Sequence, residues 1–180
     1  ARARANPGKL DYASGGVGTP SHLGVELFLN AAGITATHVP YKGASELVNA
    51  VLGNQVSFGM PIFAVAYPHV KGGKLKALAV AGAKRNPALP DVRTLAEQGL
   101  QGVELTSWGG LSLPAGTPDA IANRIYEVFS GLLKDPKVIA ALTELGSQVM
   151  PSTPEGYLQV IKSEIDLTGR MMKSAKISPL

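Results

Sequence analysis

The chain has 180 residues, 45% hydrophobic and 6% aromatic, and its 17 Lys and Arg exceed its 13 Asp and Glu by four. This composition is ample for a folded core, but the scattered basic residues form neither the basic face nor the aromatic platform that nucleic-acid binding requires. Because cysteine is absent, disulfides, zinc–thiolate centres and thiol nucleophiles are excluded. No segment approaches the roughly 20 consecutive apolar residues of a membrane-spanning helix.

The first half of the sequence alternates short apolar runs with segments of helical periodicity. The opening residues, ARARANPGK, predict the last turn of a helix, and we expect further chain upstream. Strands are predicted at residues 10–14, 36–40 and 55–60, with helices at 20–32, 44–54 and around 65–69. The continuous apolar run 75–82 is typical of a strand covered on both faces. This order predicts an α/β fold with a largely parallel sheet flanked by helices.

The second half of the sequence begins with a proline-rich stretch. A short helix is predicted near residues 94–98, and residues 106–118, TSWGGLSLPAGTP, predict a strand and then a turn. Two or three closing helices with apolar stripes are predicted, with starts at Thr117-Pro118, Asp135-Pro136 and Thr153-Pro154. We expect two domains, residues 1–105 and residues 106–180.

The stretch YASGGVGTPSHLG places a glycine-rich turn directly before a predicted helix. Gly15, Gly16 and Gly18 permit positive φ angles and let a ligand approach bare backbone. The helix start directs unpaired N–H groups and the positive end of its dipole at the same space, where Thr19 and Ser21 add hydroxyl donors. These features favour binding of a carboxylate. The alternative is that Thr19 only caps the helix and the glycines only turn the chain. The turn lacks the Lys-Ser/Thr ending of a nucleotide P-loop and the glycine spacing of a dinucleotide site.

A second turn of the same kind lies in HVPYKGA, between a predicted strand and the next helix. Lys42 and Gly43 stand at that helix start, and Met60 and Pro61 follow the third predicted strand. Because ligands bind beyond the carboxyl ends of parallel strands, two such turns on one edge favour a ligand site. Tyr41 either donates its hydroxyl or walls the pocket, or else packs beside the preceding proline.

The histidines and serines offer little for catalysis. His22 either caps the helix or touches ligand, or has a hydrogen-bonded structural role, and His38 and His69 are interpreted as structural because their spacing matches no metal site. Ser21 and His22 are neighbours whose side chains point about 100° apart on a helix, which is unfavourable for a nucleophile–base pair. No Gly-x-Ser-x-Gly elbow or acid pair stands out, so we expect a binding protein and not an enzyme.

Four colinear segments carry a family resemblance over nearly the whole chain: NPGKLDYASGGVGTPSHLGVELF, HVPYKGASELVNAVLGNQVSF, KLKALAVAGAKRNPALPDVRTLAEQG and SWGGLSLPAGTP. Together they resemble the substrate-binding receptors of tripartite tricarboxylate transporters, also called Bug-type periplasmic binding proteins. The resemblance implies a type II periplasmic-binding fold, a three-layer αβα architecture with a mainly parallel sheet. It implies one complete lobe plus the C-terminal helices of the other lobe, whose first part is absent.

The resemblance also implies a function. Such a receptor is periplasmic, captures a small organic carboxylate and delivers it to membrane permease subunits, without a cofactor or a catalytic or metal-binding residue. Many members have acidic residues around the third strand, where this chain has Ser57 and Pro61, so we expect a ligand without an ammonium group. The residues predicted to bind the ligand are Ser14, Gly15, Gly16, Gly18, Thr19, Ser21, His22, Tyr41, Lys42, Gly43, Met60 and Pro61.

Other readings of the sequence stay open. The chain resembles in architecture the effector-binding domain of a transcriptional regulator, although no helix-turn-helix is visible, and a small-acid enzyme is a further alternative. We expect no nucleic-acid partner. Because the stripes of the closing helices suit a sheet encoded upstream, we expect a homodimer or a domain swap through these helices.

Overall fold

The computed structural model describes residues 2–5 and 8–175. The chain divides into two compact units, residues 1–107 with 168–180, and residues 108–167. The first unit contains, in chain order, α1 (Arg2–Ala5), β1 (Asp11–Ser14), α2 (Pro20–Ala32), β2 (Thr37–Pro40), α3 (Ala44–Leu52), β3 (Phe58–Gly59), α4 (Phe63–Lys71) and a 3₁₀ helix (Ala96–Gln98).

The strand β1 lies at the centre of a parallel sheet of order β2-β1-β3. Its Tyr12 pairs with His38 of β2 on one side and with Phe58 of β3 on the other. Parallel neighbours require crossovers, which α2 and α3 supply. Both helices therefore begin at the carboxyl edge of the sheet.

Two apolar clusters pack on the sheet, and β1 contributes alternate residues to each. Ala13 joins a cluster built on Leu47 and Val48 of α3. The neighbouring Tyr12 joins a cluster with Val25 and Leu29 of α2. Because successive strand residues point to opposite faces, this alternation places a helix on each face of β1. The predicted α/β fold with a parallel sheet is confirmed.

The predicted strand at residues 75–82 is wrong in its extent. Only Val80 pairs in a parallel bridge, with Thr94, and Leu78 is 68% exposed. The small residues Ala79 and Ala81 pack against a cluster of Leu27, Leu95 and Val103. The apolar run therefore buries only part of its surface, and its unbroken pattern led to the prediction of a fully covered strand.

The strand predicted within residues 106–118 is also wrong, because among the described residues this segment joins no ladder. A strand is defined by the hydrogen bonds of a neighbour, which the segment itself does not supply. The three closing helices are α5 (Asp119–Leu132), α6 (Pro136–Glu144) and α7 (Pro154–Ala175). Asp135 caps α6 as predicted, since its carboxylate accepts from the Lys137 N–H at 2.8 Å.

The second unit, residues 108–167, has no fully buried side chain among those described. Its Trp108 contacts Tyr157 edge to face, with ring centroids 5.7 Å apart. Apolar side chains on its helices remain exposed, among them Ile121, Phe129, Leu132, Ile139, Leu158 and Ile165. Within the described part of the chain, no helix has the length and hydrophobicity to cross a bilayer.

Candidate functional site

The glycine turn and the start of α3 touch through their backbones. A Cβ added at Gly15 would lie 3.2 Å from the carbonyl carbon of Gly43 and 3.4 Å from the Ala44 nitrogen. A Cβ at Gly16 would lie 3.5 Å from the carbonyl oxygen of Tyr41. The two turns therefore form one continuous backbone surface at the carboxyl edge of the sheet.

Three N–H groups of the glycine turn donate to side chains of the protein. The N–H of Gly15 donates to the Ser21 hydroxyl at 2.8 Å, and that of Gly16 to the Ser14 hydroxyl at 3.1 Å. The N–H of Gly18 donates to Nδ1 of His22 at 3.1 Å. Sequence reasoning directed these amides at a ligand, whereas in the structure they hold the turn in shape.

Thr19 also acts within the turn. Its hydroxyl donates to the Gly16 carbonyl at 2.7 Å and lies 3.0 Å from the Ser21 hydroxyl, and its side chain makes no capping bond to α2. Gly16 and Gly18 have φ angles of 127° and 75°, which L side chains rarely adopt. The glycines at these two positions are thus required by the path of the chain.

The start of α3 offers more backbone donors than the start of α2. The first intrahelical bond of α3 runs from Leu47 to the Gly43 carbonyl, at 3.2 Å, so the N–H groups of Ala44 and Ser45 precede it. In α2 the first residue is Pro20, which has no N–H, and the His22 N–H already donates to Thr19 at 2.9 Å. An anion at this edge therefore finds its amide donors chiefly at α3.

Charged side chains flank the start of α3. The carboxylate of Glu46 accepts from the Lys42 N–H at 3.0 Å, and both side chains are exposed. An acidic residue in the first helical turn is stabilised by the helix dipole. Lys42 leaves a cationic side chain free to face solvent beside the same turn.

The side chains of the other predicted site residues contribute little to the carboxyl edge of the sheet. Tyr41 packs against the cluster of α3, and its hydroxyl donates to Gln55 at 3.4 Å. The sulfur of Met60 would lie 2.6 Å from a Cβ added at Gly24 of α2, so its side chain fills the space beside that glycine. Pro61 follows Met60 and is half-buried.

Ser57 lies at the other edge of the sheet, where the strands begin. Its N–H and hydroxyl both donate to the Asp11 carboxylate, at 2.6 Å and 2.7 Å. These bonds hold the pKa of Asp11 below its usual value. Ser57 therefore gives no support to the inference of a ligand without an ammonium group. Of the two residues used for that inference, Pro61 alone lies at the carboxyl edge of the sheet.

An aromatic stack beneath the turn was missed by sequence reasoning. The rings of His22 and His38 are parallel, with centroids 4.0 Å apart, and Tyr12 stacks on His38 at 4.9 Å. The Tyr12 hydroxyl donates to Glu26 at 2.5 Å, and Nε2 of His38 lies 2.6 Å from the Ser14 hydroxyl. The stack thus connects α2, β1 and β2 below the glycines.

Burial explains the electrostatics of this stack. It lowers the pKa of both His22 and His38, and His22 lowers that of His38 further. Burial and the Glu26 carboxylate raise the pKa of Tyr12. A signal for this cluster existed in the sequence, because residues 22 and 26 share a helix face and residues 12 and 14 share a strand face. Among the described residues, no three His, Asp or Glu side chains are grouped to hold a metal.

Solved structures of periplasmic binding proteins share this fold. The periplasmic binding protein BugD matches with a TM-score of 0.90 and 30% identity, over 98% of this chain and 60% of that one. R. palustris Rpa4515 with adipate matches with a TM-score of 0.95 and 30% identity, over 99% and 60%. MatC (Rpa3494) from Rhodopseudomonas palustris with bound malate matches with a TM-score of 0.87 and 29% identity, over 94% and 59%. The fold is that of a periplasmic binding protein, as predicted.

A match to a protein-family model identifies the kind of periplasmic binding protein more closely. The model for the tripartite tricarboxylate transporter family receptor matches residues 1–177. A UPF0065 protein in the tcbD-tcbE intergenic region of Pseudomonas sp. (strain P51) is 34% identical over 165 residues, 91% of this chain and 49% of that protein. The chain belongs to the tripartite tricarboxylate transporter receptor family. It spans about half the length of the curated relative.

Proposed function

We propose that this chain is the acid-binding part of a periplasmic receptor that captures a small organic carboxylate and delivers it to membrane permease subunits. Family membership and the solved relatives with adipate and malate support the class of ligand. The observation that carries the proposal is the backbone contact of Gly15 with Gly43 and Ala44, which joins two helix starts into one surface.

The carboxylate binds at the start of α3, with the glycine turn as the adjoining wall. One helix terminus stabilises an anion by about 0.3–1 kcal/mol, or up to ~2 kcal/mol when partly buried. Each charge-assisted hydrogen bond from an amide adds about 1.5–3 kcal/mol. Two or three amides of α3 therefore supply most of the roughly 8 kcal/mol that micromolar affinity requires. The exposed ammonium group of Lys42 adds electrostatic attraction for the carboxylate.

The role is binding and not catalysis. Ser14 and His38 have the separation of a nucleophile and its base, at 2.6 Å. Ser14, however, is 0% exposed, and its hydroxyl already accepts the N–H of Gly16. No substrate reaches an oxygen in that position, which supports a structural role for the pair.

We expect a carboxylate ligand without an ammonium group, and the solved relatives with adipate and malate favour a dicarboxylate. β3 is followed by Met60 and Pro61, which have no charge to pair with a cation. Glu46 keeps its negative charge while it accepts the Lys42 N–H, so the expectation requires that an ammonium group of the bound ligand does not reach it. Malate and aspartate differ in a hydroxyl against an ammonium group. We expect malate and adipate to bind and aspartate to bind at least tenfold more weakly.

A titration followed by ¹⁵N NMR tests the proposal on the full chain, because it detects even millimolar affinity. Adipate should shift the amide signals of Ala44 and Ser45 most strongly, and hexane-1,6-diol, which lacks the charges, should shift neither. Equal shifts spread over the whole surface, or none with adipate, malate and succinate, would contradict the proposed site.

One variant removes a single donor. Ala44→Pro deletes the N–H at the first position of α3, where proline is well tolerated, and should weaken adipate binding by about 1.5–3 kcal/mol, roughly ten- to a hundredfold in Kd. Asp119→Pro makes the same change at the first position of α5 and should leave the Kd unchanged. Equal Kd values for the two variants would show that this amide does not bind the acid.

Self-association through the closing helices is part of the proposal. The exposed apolar side chains of α5 and α7, such as Ile121 and Ile165, support it because patches of this kind are uncommon on monomers. Light scattering should give a mass of two or more chains at micromolar concentration. A monomer at all concentrations would contradict this part alone.

A further inference from the structure

The side chain of His22 accepts a hydrogen bond from the glycine turn. Because Nδ1 takes the Gly18 N–H at 3.1 Å, this nitrogen carries no proton while the bond exists. A neutral imidazole accepts at one nitrogen, whereas a protonated imidazole donates at both. When Nδ1 of His22 is protonated, this nitrogen and the Gly18 N–H are both donors, so the hydrogen bond between them is lost.

The neighbouring His38 reaches the same turn by another route. Its Nε2 lies 2.6 Å from the Ser14 hydroxyl, which in turn accepts the N–H of Gly16 at 3.1 Å. The two imidazole centroids are only 4.0 Å apart. Since like charges repel strongly at this separation when partly buried, the pair does not accommodate two positive charges in this arrangement.

Few charged groups face this pair. From β1 the Tyr12 ring stacks on His38, and from α2 the Glu26 carboxylate acts electrostatically on both imidazoles, while Phe58 of β3 contacts Tyr12 and does not titrate. The Glu26 charge favours protonation of both rings, but burial has the larger effect and lowers their pKa values. The rings are consequently neutral at neutral pH and become charged in acid.

We propose that His22 and His38 are positioning residues of the glycine turn, and that protonation of His22 releases the Gly18 amide and opens the turn. The loss of shape separates the turn from the start of α3, so acid capture weakens as the pH falls. This last consequence rests on the proposed function, whereas the release of Gly18 rests on the hydrogen bonds of the turn alone.

The release is measured on the wild-type full chain by NMR, without ligand. Long-range ¹H–¹⁵N spectra should show the Nε2–H tautomer of His22 at about pH 7.5 and its protonation as the pH is lowered below 6.5. The hydrogen-exchange protection factor of the Gly18 amide should fall at least tenfold with the same midpoint. A protection factor that stays constant while the ring protonates overturns the inference.

A variant whose side chain does not titrate separates the effect of the hydrogen bond to Gly18 from the effect of the charge on His22. In His22→Asn the amide oxygen is bonded to Cγ, as Nδ1 is in histidine, so it can accept the Gly18 N–H at every pH. Its Gly18 protection should remain high at the acid pH at which His22 of the wild type is protonated and the protection of Gly18 is lost. His69→Asn changes the histidine of α4, outside the stack, and should titrate like the wild type.

Adipate titrations distinguish this inference from the proposed function. The ratio of the Kd of the wild type to that of His22→Asn should be at least fivefold larger at an acid pH at which His22 is protonated than at about pH 7.5. If Gly18 is released but no acid binds at either pH, the inference stands and the proposed function fails. If adipate binds with the same ratio at both pH values, acid capture is not controlled by protonation of His22, and the inference fails.

Discussion

The two units of the chain use similar apolar patterns with opposite results. In the first unit, Leu47 and Val48 of α3 are 0% and 1% exposed against the sheet. In the second, α5 and α7 carry apolar stripes just as regular, yet Leu132 and Leu158 are each 49% exposed. The helices of the first unit have strands to cover, and none is present among the described residues of the second.

This contrast shows that an amphipathic pattern indicates which side chains favour burial, but not whether a sheet or another helix is present to cover them. Hydrophobic stabilisation follows the apolar area removed from water, at about 25 cal/mol per Å². Equal side chains in the two units therefore contribute unequally to stability. Glycines and ion pairs of the two units also differ and can be tested with matched variants, whereas all three histidines lie in the first unit.

Matched leucine truncations give the largest expected difference. Leu47→Ala leaves a cavity in a packed cluster and should lower the free energy of unfolding by about 2–5 kcal/mol. Leu158→Ala removes a side chain that is 49% exposed in a single chain, so under conditions where the chain is monomeric it should change this free energy by no more than about 0.5 kcal/mol. Urea denaturation followed by circular dichroism measures both. Similar losses would mean that α7 is buried in solution, as in a self-associated form.

Matched glycine substitutions should differ in sign. A Cβ at Gly15 meets the main chain of Gly43 at 3.2 Å, so Gly15→Ala should cost about 1–3 kcal/mol. At Gly131 of α5 nothing lies within 4 Å, so Gly131→Ala should stabilise the helix by about 0.5–1 kcal/mol. A neutral Gly15→Ala in the same denaturation experiment would show that the two turns are not in contact.

The pH dependence of stability should arise in the first unit, which holds all three histidines. Burial lowers the pKa of His22 and His38 below 6.5, so in acid the unfolded chain binds protons before the folded one. Stability is therefore full above about pH 6.5 and falls as the pH is lowered through the folded pKa values. Urea midpoints across this range should show the fall, and His22→Asn should reduce it. A midpoint that rises in acid would reverse the assigned shifts.

Matched ion pairs should give the smallest difference. Arg85 binds both Glu97 oxygens and also the Pro90 carbonyl, whereas Arg124 meets Glu127 at 3.4 Å across one helical turn. Exposed pairs contribute little unless the geometry is good. Arg85→Gln should lower the thermal midpoint slightly and Arg124→Gln should not. The Arg85 effect should shrink in high salt, and an unchanged effect would rule out an electrostatic origin.

Local patterns predicted most of the helices and the parallel sheet. The starts of α2, α6 and α7 were predicted from proline and from the residue before it, because both act locally, proline through its fixed φ and Asp135 and Thr153 through side-chain bonds to the first helical turn. The strands at residues 75–82 and 106–118 were not predictable in the same way, because pairing depends on a neighbour elsewhere in space. Composition alone does not reveal whether that neighbour exists.

The position of the glycine turn was predictable from the sequence, but its hydrogen bonds were not. The sequence located the glycine turn before α2, whereas the amides of Gly15, Gly16 and Gly18 proved to be taken by side chains. The acceptor side chains lie on α2 and β1, and tertiary packing decides whether they come within hydrogen-bond distance of these amides. The stack of His22 on His38 joins residues sixteen positions apart for the same reason.

The contact between Gly15 and Gly43 links two crossover loops that are far apart in the chain. A side chain at Gly15 would collide with the main chain of Gly43, so this position of the first loop depends on the path of the second. At the proposed acid site, changes of specificity are therefore expected at exposed neighbouring positions and not at Gly15, for example at Val17, which is 44% exposed, and at Lys42.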